Sequence, residues 1–177
     1  MEEKTLSRVT AFRGHLLQLD VLEVQLCDGT RASREVVLHP NAVCAAVLTV
    51  DREWVFVRQY RIAAEAMLLE VPAGKIDAGE NPDQAILREL REEVGCSEGR
   101  VEPLMQFWST PGFCNERMNC YLIHEARLDE PQDLDAGEFL EVVRVPLKEG
   151  LAMALDGRLS DAKSVAAVLA GARFLGL

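Results

Sequence analysis

The chain has 177 residues, which is long enough to form a sizeable core. Its net charge of −10 and sequence pI near 4.8 make it too acidic to bind nucleic acid electrostatically. A small anionic substrate would need a local metal ion to offset this acidic field. The five cysteines follow no metal-binding spacing and no run approaches 18 apolar residues, so we expect reduced thiols in a cytoplasmic protein that does not span a membrane.

The first 40 residues predict a small antiparallel sheet. Residues 8–27 alternate apolar and polar side chains as two or three strands do, and Asp28-Gly29 is a hairpin-turn signal before a strand at 31–38. We therefore assign residues 1–40 to an N-terminal sheet and residues 41–177 to the main domain. Because this sheet has little chain of its own to pack against, we expect it to form a homodimer.

The main domain mixes strands and helices. Residues 42–50 form a continuous apolar run, as in a buried strand, and we expect them to pair as a hairpin with residues 54–60. Strands surrounding one strong helix, with a second helix near the end, suggest an α/β (α+β) fold, an α/β/α sandwich around a mixed sheet. The further predicted strands are 68–71, 100–109, 118–124 and 141–145, and the further predicted helices are 148–155, which is weak, and 161–174.

The strong helix lies between Asn81 and Gly95. Asn81 is a good N-cap, proline suits the next position, and Gly95 marks the end. An apolar stripe on one face of this helix is formed by Ile86, Leu90 and Val94.

A second face of the same helix carries Glu89, Glu92 and Glu93. Like charges at this spacing destabilise a helix, although Arg88 and Arg91 offset part of the repulsion. One interpretation is a solvated acidic face with ordinary salt bridges. The other is a site for Mg²⁺ or Mn²⁺, which bind carboxylate oxygens.

The spacing of the whole stretch favours the metal site. It resembles the Nudix box, G-x5-E-x7-R-E-U-x-E-E-x-G-U, in which U is a bulky aliphatic residue. The last U is Cys96 here, a mild departure, since cysteine packs as a small hydrophobe. The positions in register are Gly74, Glu80, Arg88, Glu89, Leu90, Glu92, Glu93 and Gly95.

Other stretches resemble the ADP-ribose pyrophosphatase branch of the Nudix hydrolases. They are RQYR at 58–61, LLEVPAG at 68–74, STPGF at 109–113 and GEFLEVVRVP at 137–146. Taken singly, each has an ordinary structural explanation, such as a surface cation or a plain turn. Because all of them occur, and in the same order as in this branch, they favour a functional role over an ordinary structural one.

The resemblance implies Mg²⁺-dependent hydrolysis of the pyrophosphate bond of ADP-ribose, giving AMP and ribose 5-phosphate, with Mn²⁺ as a possible substitute. It implies that metal ions bind to the carbonyl oxygen of Ala73 and to Glu89, Glu92 and Glu93. Arg88 would hold the glutamates in place, and Glu80 would steady the preceding loop. We expect the catalytic set to be Glu138, Glu92 and Arg88.

The general base is the most open assignment. Glu138 matches the family's late catalytic loop best, while Glu141 and Asp135 lie close to it in sequence and Glu92 is a further alternative. The expected substrate-binding residues are Arg34 and Glu35 from a partner subunit's sheet, with Arg61, Glu70, Gly74, Pro111, Gly112 and Glu116.

Two classes of function remain open. The first is the hydrolase, for which GDP-mannose, NADH and other ADP-sugars are alternative substrates. The second is a non-catalytic Nudix-like sensor that binds ADP-ribose or NAD. The complete set of box glutamates favours the enzyme, because a sensor does not need them.

Overall fold

The computed structural model describes residues 1–177, which divide into two compact units. The first contains residues 1–41 and 108–117, and the second contains residues 42–107 and 118–177. Residues 108–117 thus group with the N-terminal strands, which the sequence did not indicate. The proposed domains 1–40 and 41–177 stay a prediction. No helix in the structure is long and apolar enough to cross a membrane.

The first unit contains the predicted N-terminal sheet. Its strands β1 (Lys4–Arg13), β2 (Gln18–Gln25) and β3 (Arg31–Leu38) are antiparallel and lie in the order β1-β2-β3. Every residue of β1 is exposed, including apolar side chains. Two backbone hydrogen bonds join β3 to the segment 108–117, one of 2.7 Å from the amide of Val37 to the carbonyl of Phe113 and one of 3.1 Å from the amide of Asn115 to the carbonyl of Val37.

The second unit is built on a mixed sheet in the order β10-β5-β4-β9-β8, with β6 paired to β5 and β7 paired to β4. β4 and β9 are parallel, whereas β4–β5, β5–β6, β4–β7 and β5–β10 are antiparallel. The strands are β4 (Ala42–Thr49), β5 (Glu53–Arg61), β6 (Ala66–Glu70), β7 (Ala73–Lys75), β8 (Cys96–Trp108), β9 (Arg117–Leu128) and β10 (Leu140–Pro146).

Helices cover both faces of this sheet. α1 (Pro82–Val94) packs with the alternate residues Val43, Ala45 and Val47 of β4, while α2 (Leu147–Asp156) and α3 (Ala162–Phe174) pack with the other set, which includes Cys44 and Ala46. Successive side chains of a strand point to opposite faces, so β4 is buried on both sides. The predicted α/β/α sandwich around a mixed sheet is therefore confirmed.

Several boundaries differ from the sequence prediction, two of them at segments without an apolar run. Residues 73–75 form β7, a strand absent from the sequence prediction, because Ala73 and Gly74 pair with Cys44 and Val43 of β4. β8 begins at Cys96, four residues before the predicted start. Both segments lack an apolar run, so their strand structure depends on pairing partners that local pattern does not reveal.

Candidate active site

The ends of α1 are fixed by local hydrogen bonds. Asn81 Oδ1 accepts from the amide of Gln84 at 2.9 Å, and the Gln84 side chain accepts from the amide of Asn81, which completes a capping box. Gly95 ends the helix at φ 62°, and a Cβ there would lie 2.0 Å from the carbonyl oxygen of Glu130. Since Ile86 and Leu90 are buried against the sheet, the orientation of the glutamates on α1 is determined.

Arg88 donates hydrogen bonds to three carboxylates. Its Nη1 donates to Glu89 at 2.8 Å and to Glu92 at 3.0 Å, while Nε and Nη2 each donate to Glu80 at 3.0 Å. Nη2 also donates to the carbonyl of Lys75. The hydrogen bonds from Arg88 hold the pKa of Glu80 below its usual range. Arg88 therefore offsets the repulsion on α1 and ties the helix to the loop that precedes it.

Glu93 is the most deeply buried of the α1 glutamates, and its side chain has little charge compensation. It is 2% exposed, and Oε2 accepts a hydrogen bond of 3.0 Å from the amide of Ala73. Burial raises the pKa of Glu93 to about 8, and the charges of Glu89 and Glu138 add to this rise. Burial also raises the pKa of Glu89, despite its bonds to Arg88. Such a group of buried acids favours a bound cation.

Gly74 lies directly against one of these acids. A Cβ at this position would lie 1.9 Å from Cδ of Glu89, so only glycine allows the backbone of β7 to approach the carboxylate this closely. In the structure as it stands, no three His, Cys, Asp or Glu side chains are placed to hold a metal ion together. The residues nevertheless fit a hard divalent cation chemically, because they offer several carboxylate oxygens, including the buried and little-compensated Glu93, next to the backbone of β7.

The loop that carries Glu138 is attached to the end of α1. The amide of Asp133 donates to the carbonyl of Glu92 at 2.9 Å, and Nε2 of Gln132 donates to the carbonyl of Glu93. Glu138 itself is half-buried and close enough for its charge to raise the pKa of Glu89 and of Glu93.

The alternative loop acids have different surroundings. Glu141 is exposed and paired with Arg58 at 3.1 Å on the edge strand β10. Asp135 is also exposed, and its carbonyl accepts a hydrogen bond of 3.0 Å from the amide of Glu138. Of the three, only the charge of Glu138 is among the principal influences on the pKa values of the α1 glutamates.

A second charged cluster surrounds Glu70, which is 1% exposed. Arg61 donates to both of its oxygens, through Nε at 2.7 Å and Nη2 at 2.8 Å, and Lys163 of α3 binds Oε2. Burial alone would raise the pKa of Glu70, but the bonds from Arg61 and Lys163 outweigh burial and hold the pKa below its usual range. Sequence analysis missed Lys163, because it lies 93 residues from Glu70 and nothing local links the two.

The remaining predicted substrate residues belong to the first unit. Arg34 on β3 binds the carboxylate of Glu3 through two nitrogens, at 2.6 and 3.0 Å, and Glu35 is exposed beside it. The carboxylate of Glu116 is half-buried, 3.2 Å from Nδ1 of His39. Pro111 and Gly112 are exposed in the segment 108–117. The substrate-binding roles of these residues stay predictions.

Comparison with known proteins identifies the family, because residues 38–168 match the sequence model of the NUDIX domain. The chain belongs to this family. It is 36% identical over 169 residues to an ADP-ribose pyrophosphatase of Bacillus subtilis (strain 168), an alignment that covers 95% of this chain and 91% of the relative. It is also 36% identical over 168 residues to a methanol dehydrogenase activator of Bacillus methanolicus, covering 94% of this chain and 91% of the relative.

A solved structure, described as the crystal structure of an ADP compounds hydrolase, superposes with a TM-score of 0.87 at 25% identity. It matches 99% of this chain and 95% of its own. These comparisons confirm the likeness to the Nudix family and its ADP-ribose pyrophosphatase branch that the motifs indicate. Nudix hydrolases generally use divalent metal ions, in agreement with the chemistry of the acidic group on α1.

Proposed function

We propose that the protein is a Nudix pyrophosphatase that hydrolyses ADP-ribose, or a related nucleoside diphosphate sugar, to AMP and ribose 5-phosphate, with Mg²⁺ as its cation. The observation that carries this proposal is the group of acids around Glu93. Its carboxylate is buried near Glu89 with little positive charge to balance it, and the backbone of Gly74 lies against Glu89. A protein that only bound the nucleotide would gain nothing from these acids, since burying them costs free energy.

The residues proposed to hold the cation are Glu89, Glu92 and Glu93, with the carbonyl of Ala73. When bound, a divalent cation neutralises charge on the diphosphate and lowers the pKa of water. Arg88 keeps Glu89 and Glu92 in place through its Nη1 hydrogen bonds. Glu80 fixes the other edge of that guanidinium and so supports the same arrangement.

The proton from the attacking water passes, in our proposal, to Glu138. This carboxylate comes from a loop rather than from α1, which leaves the helix glutamates free for the cation. The loop is tied to α1 at Asp133 and Gln132, and the charge of Glu138 contributes to the raised pKa values of the α1 acids Glu89 and Glu93. Arg61 would contact a phosphate of the substrate, because its guanidinium is partly exposed and held in one orientation by Glu70.

We also propose that the working protein is a cytoplasmic homodimer. β1 leaves Leu6, Val9 and Phe12 exposed, and a second copy of the chain would cover them. In such a dimer Arg34 and Glu35 of one subunit would contact the adenine bound to the other. All five cysteines are free thiols, which supports a reducing compartment.

A substrate panel tests the proposal. We expect kcat/KM with Mg²⁺ to be highest for ADP-ribose when it is compared with GDP-mannose, NADH and other ADP-sugars. Preference for GDP-mannose or NADH would contradict the substrate assignment but keep the reaction. Binding of ADP-ribose without any turnover would instead identify the chain as a sensor.

A further inference from the structure

Four side chains of alternating charge in the second unit form a row of ion pairs. Of these four, only Arg61 has a role in the proposed mechanism. They run from Arg61 of β5 through Glu70 of β6 to Lys163 of α3, and then to Asp161, whose Oδ2 accepts from Lys163 at 2.9 Å. The two carboxylates and the two cations sum to zero. Only Arg61, whose side chain is 43% exposed, reaches solvent to any large extent.

The burial of Glu70 does not by itself require both cations. Arg61 already satisfies both of its oxygens in a bidentate pair, and a single guanidinium is enough to neutralise one carboxylate. Lys163 supplies a second positive charge to Oε2. Because Lys163 shares the negative charge of Glu70, the charge of Arg61 is not fully cancelled by its own partner.

The position of Lys163 is fixed by the start of α3. Asp161 caps this helix by accepting from the amide of Ser164 at 3.0 Å, and Ser164 Oγ accepts from the buried amide of Val71 at 2.8 Å. Val71 directly follows Glu70 in the chain. The helix start and the end of β6 are thus joined at two neighbouring points, the Ser164–Val71 bond and the Lys163–Glu70 ion pair.

Arg61 is linked to the candidate active site through Glu70, because Glu70 lies three residues before Ala73, whose amide donates to Glu93 at 3.0 Å. The Nε and Nη2 of Arg61 are used by Glu70, whereas Nη1 donates to no protein group in the structure. The charge of Arg61 lowers the pKa of Glu93, so the two side chains lie close enough to interact. An anionic group bound beside the α1 glutamates would therefore lie within reach of the charge of Arg61, whose Nη1 is not used by a protein group.

We infer that Lys163 is a positioning residue, which shares the negative charge of Glu70 from α3 so that Arg61 keeps its orientation and a positive charge that Glu70 offsets only in part, available to a phosphate of the substrate. This inference rests on the proposed function for the identity of the substrate. Without the lysine, Arg61 alone would balance the charge of Glu70, so Arg61 would offer less positive charge to a phosphate.

The test is steady-state kinetics of the full chain with ADP-ribose and saturating Mg²⁺. For Lys163→Met we expect KM to rise about tenfold while kcat changes less than about threefold, because a binding interaction made before the chemical step is weakened. Lys163→Arg should bring KM back to within about threefold of the wild type. Lys148→Met, which removes an exposed lysine from α2, is the matched control and should leave both constants unchanged.

A double mutant separates positioning from a general effect on folding. If Lys163 acts through Arg61, Lys163→Met should raise KM no further in an Arg61→Met background. An additive effect in the double mutant, or an unchanged KM in Lys163→Met with only a lower Tm, would overturn the inference. A wild-type protein that does not turn over ADP-ribose would overturn the proposed function instead, so the two failures are distinct.

Discussion

The amide of Ala73 donates a hydrogen bond of 3.0 Å to the buried carboxylate of Glu93, joining β7 to α1. This bond links a short strand next to β4 with the acidic face of the helix. It brings the backbone at Ala73 next to a carboxylate of α1, and hard cations bind backbone carbonyl and carboxylate oxygens together. The proposed cation site depends on this pairing more than on any single charge.

The first prediction concerns pH and Glu93. Burial raises its pKa in the folded protein to about 8, from an ordinary value of 4.5. Because the folded value is the higher, its stabilising contribution is complete below the ordinary value and is lost as the pH rises through about 8. We expect the Tm of metal-free protein to fall from pH 5 to pH 9, and to fall less in Glu93→Gln.

Thermal unfolding in the presence of a chelator measures this effect. Glu98→Gln is the control, since Glu98 is exposed on β8 and should leave the pH dependence as in the wild type. A Tm profile for Glu93→Gln that parallels the wild-type profile across the whole range would show that Glu93 is not the group responsible.

The second prediction concerns the general base. Glu138→Gln should lower kcat by ~10²- to 10⁴-fold, the usual contribution of general-base catalysis, and leave the affinity for Mg²⁺ nearly intact. Titrating Mg²⁺ against this variant and against Glu93→Gln separates the two roles, because only the latter should bind metal more weakly. A drop of less than about tenfold at saturating Mg²⁺ would move the base role to Glu92 or Glu141.

The third prediction concerns Gly74. Its replacement by alanine would put a Cβ 1.9 Å from Cδ of Glu89, so the carboxylate or β7 must move. We expect Gly74→Ala to weaken Mg²⁺ binding and to lower kcat by at least about tenfold, as misplacing a catalytic group does. Gly29→Ala is the control: it has a positive φ of 85° but no neighbour within 4 Å, and should reduce stability alone. Wild-type Mg²⁺ affinity in Gly74→Ala would argue against the proposed role of this contact.

The fourth prediction concerns assembly. Val9 and Phe12 on β1 are 65% and 57% exposed, and charges there should prevent a second copy from packing on this face. We expect the wild type to sediment as a dimer and Val9→Glu/Phe12→Glu as a monomer with lower activity. Val50→Glu, at an equally exposed apolar position outside the first unit, should stay dimeric. A wild-type monomer that is fully active at low concentration would refute the homodimer.

The features that sequence predicted best are those with local causes. The start and end of α1 follow from Asn81 and Gly95, and its apolar stripe follows from the helical period, so helix and glutamate face were both predictable. β7 was missed because its strand structure depends on pairing with β4, which no pattern within residues 73–75 indicates. Lys163 was missed for the same reason, since its partner Glu70 is close only in the fold.

The measurement that tests the account most directly is product analysis after incubation of ADP-ribose with Mg²⁺ and either the wild type or Glu93→Gln. We expect equal amounts of AMP and ribose 5-phosphate from the wild type, no products when the metal is chelated, and a rate lower by orders of magnitude for Glu93→Gln with the fold retained. Absence of AMP from the wild-type reaction, or a wild-type rate in Glu93→Gln, would contradict it.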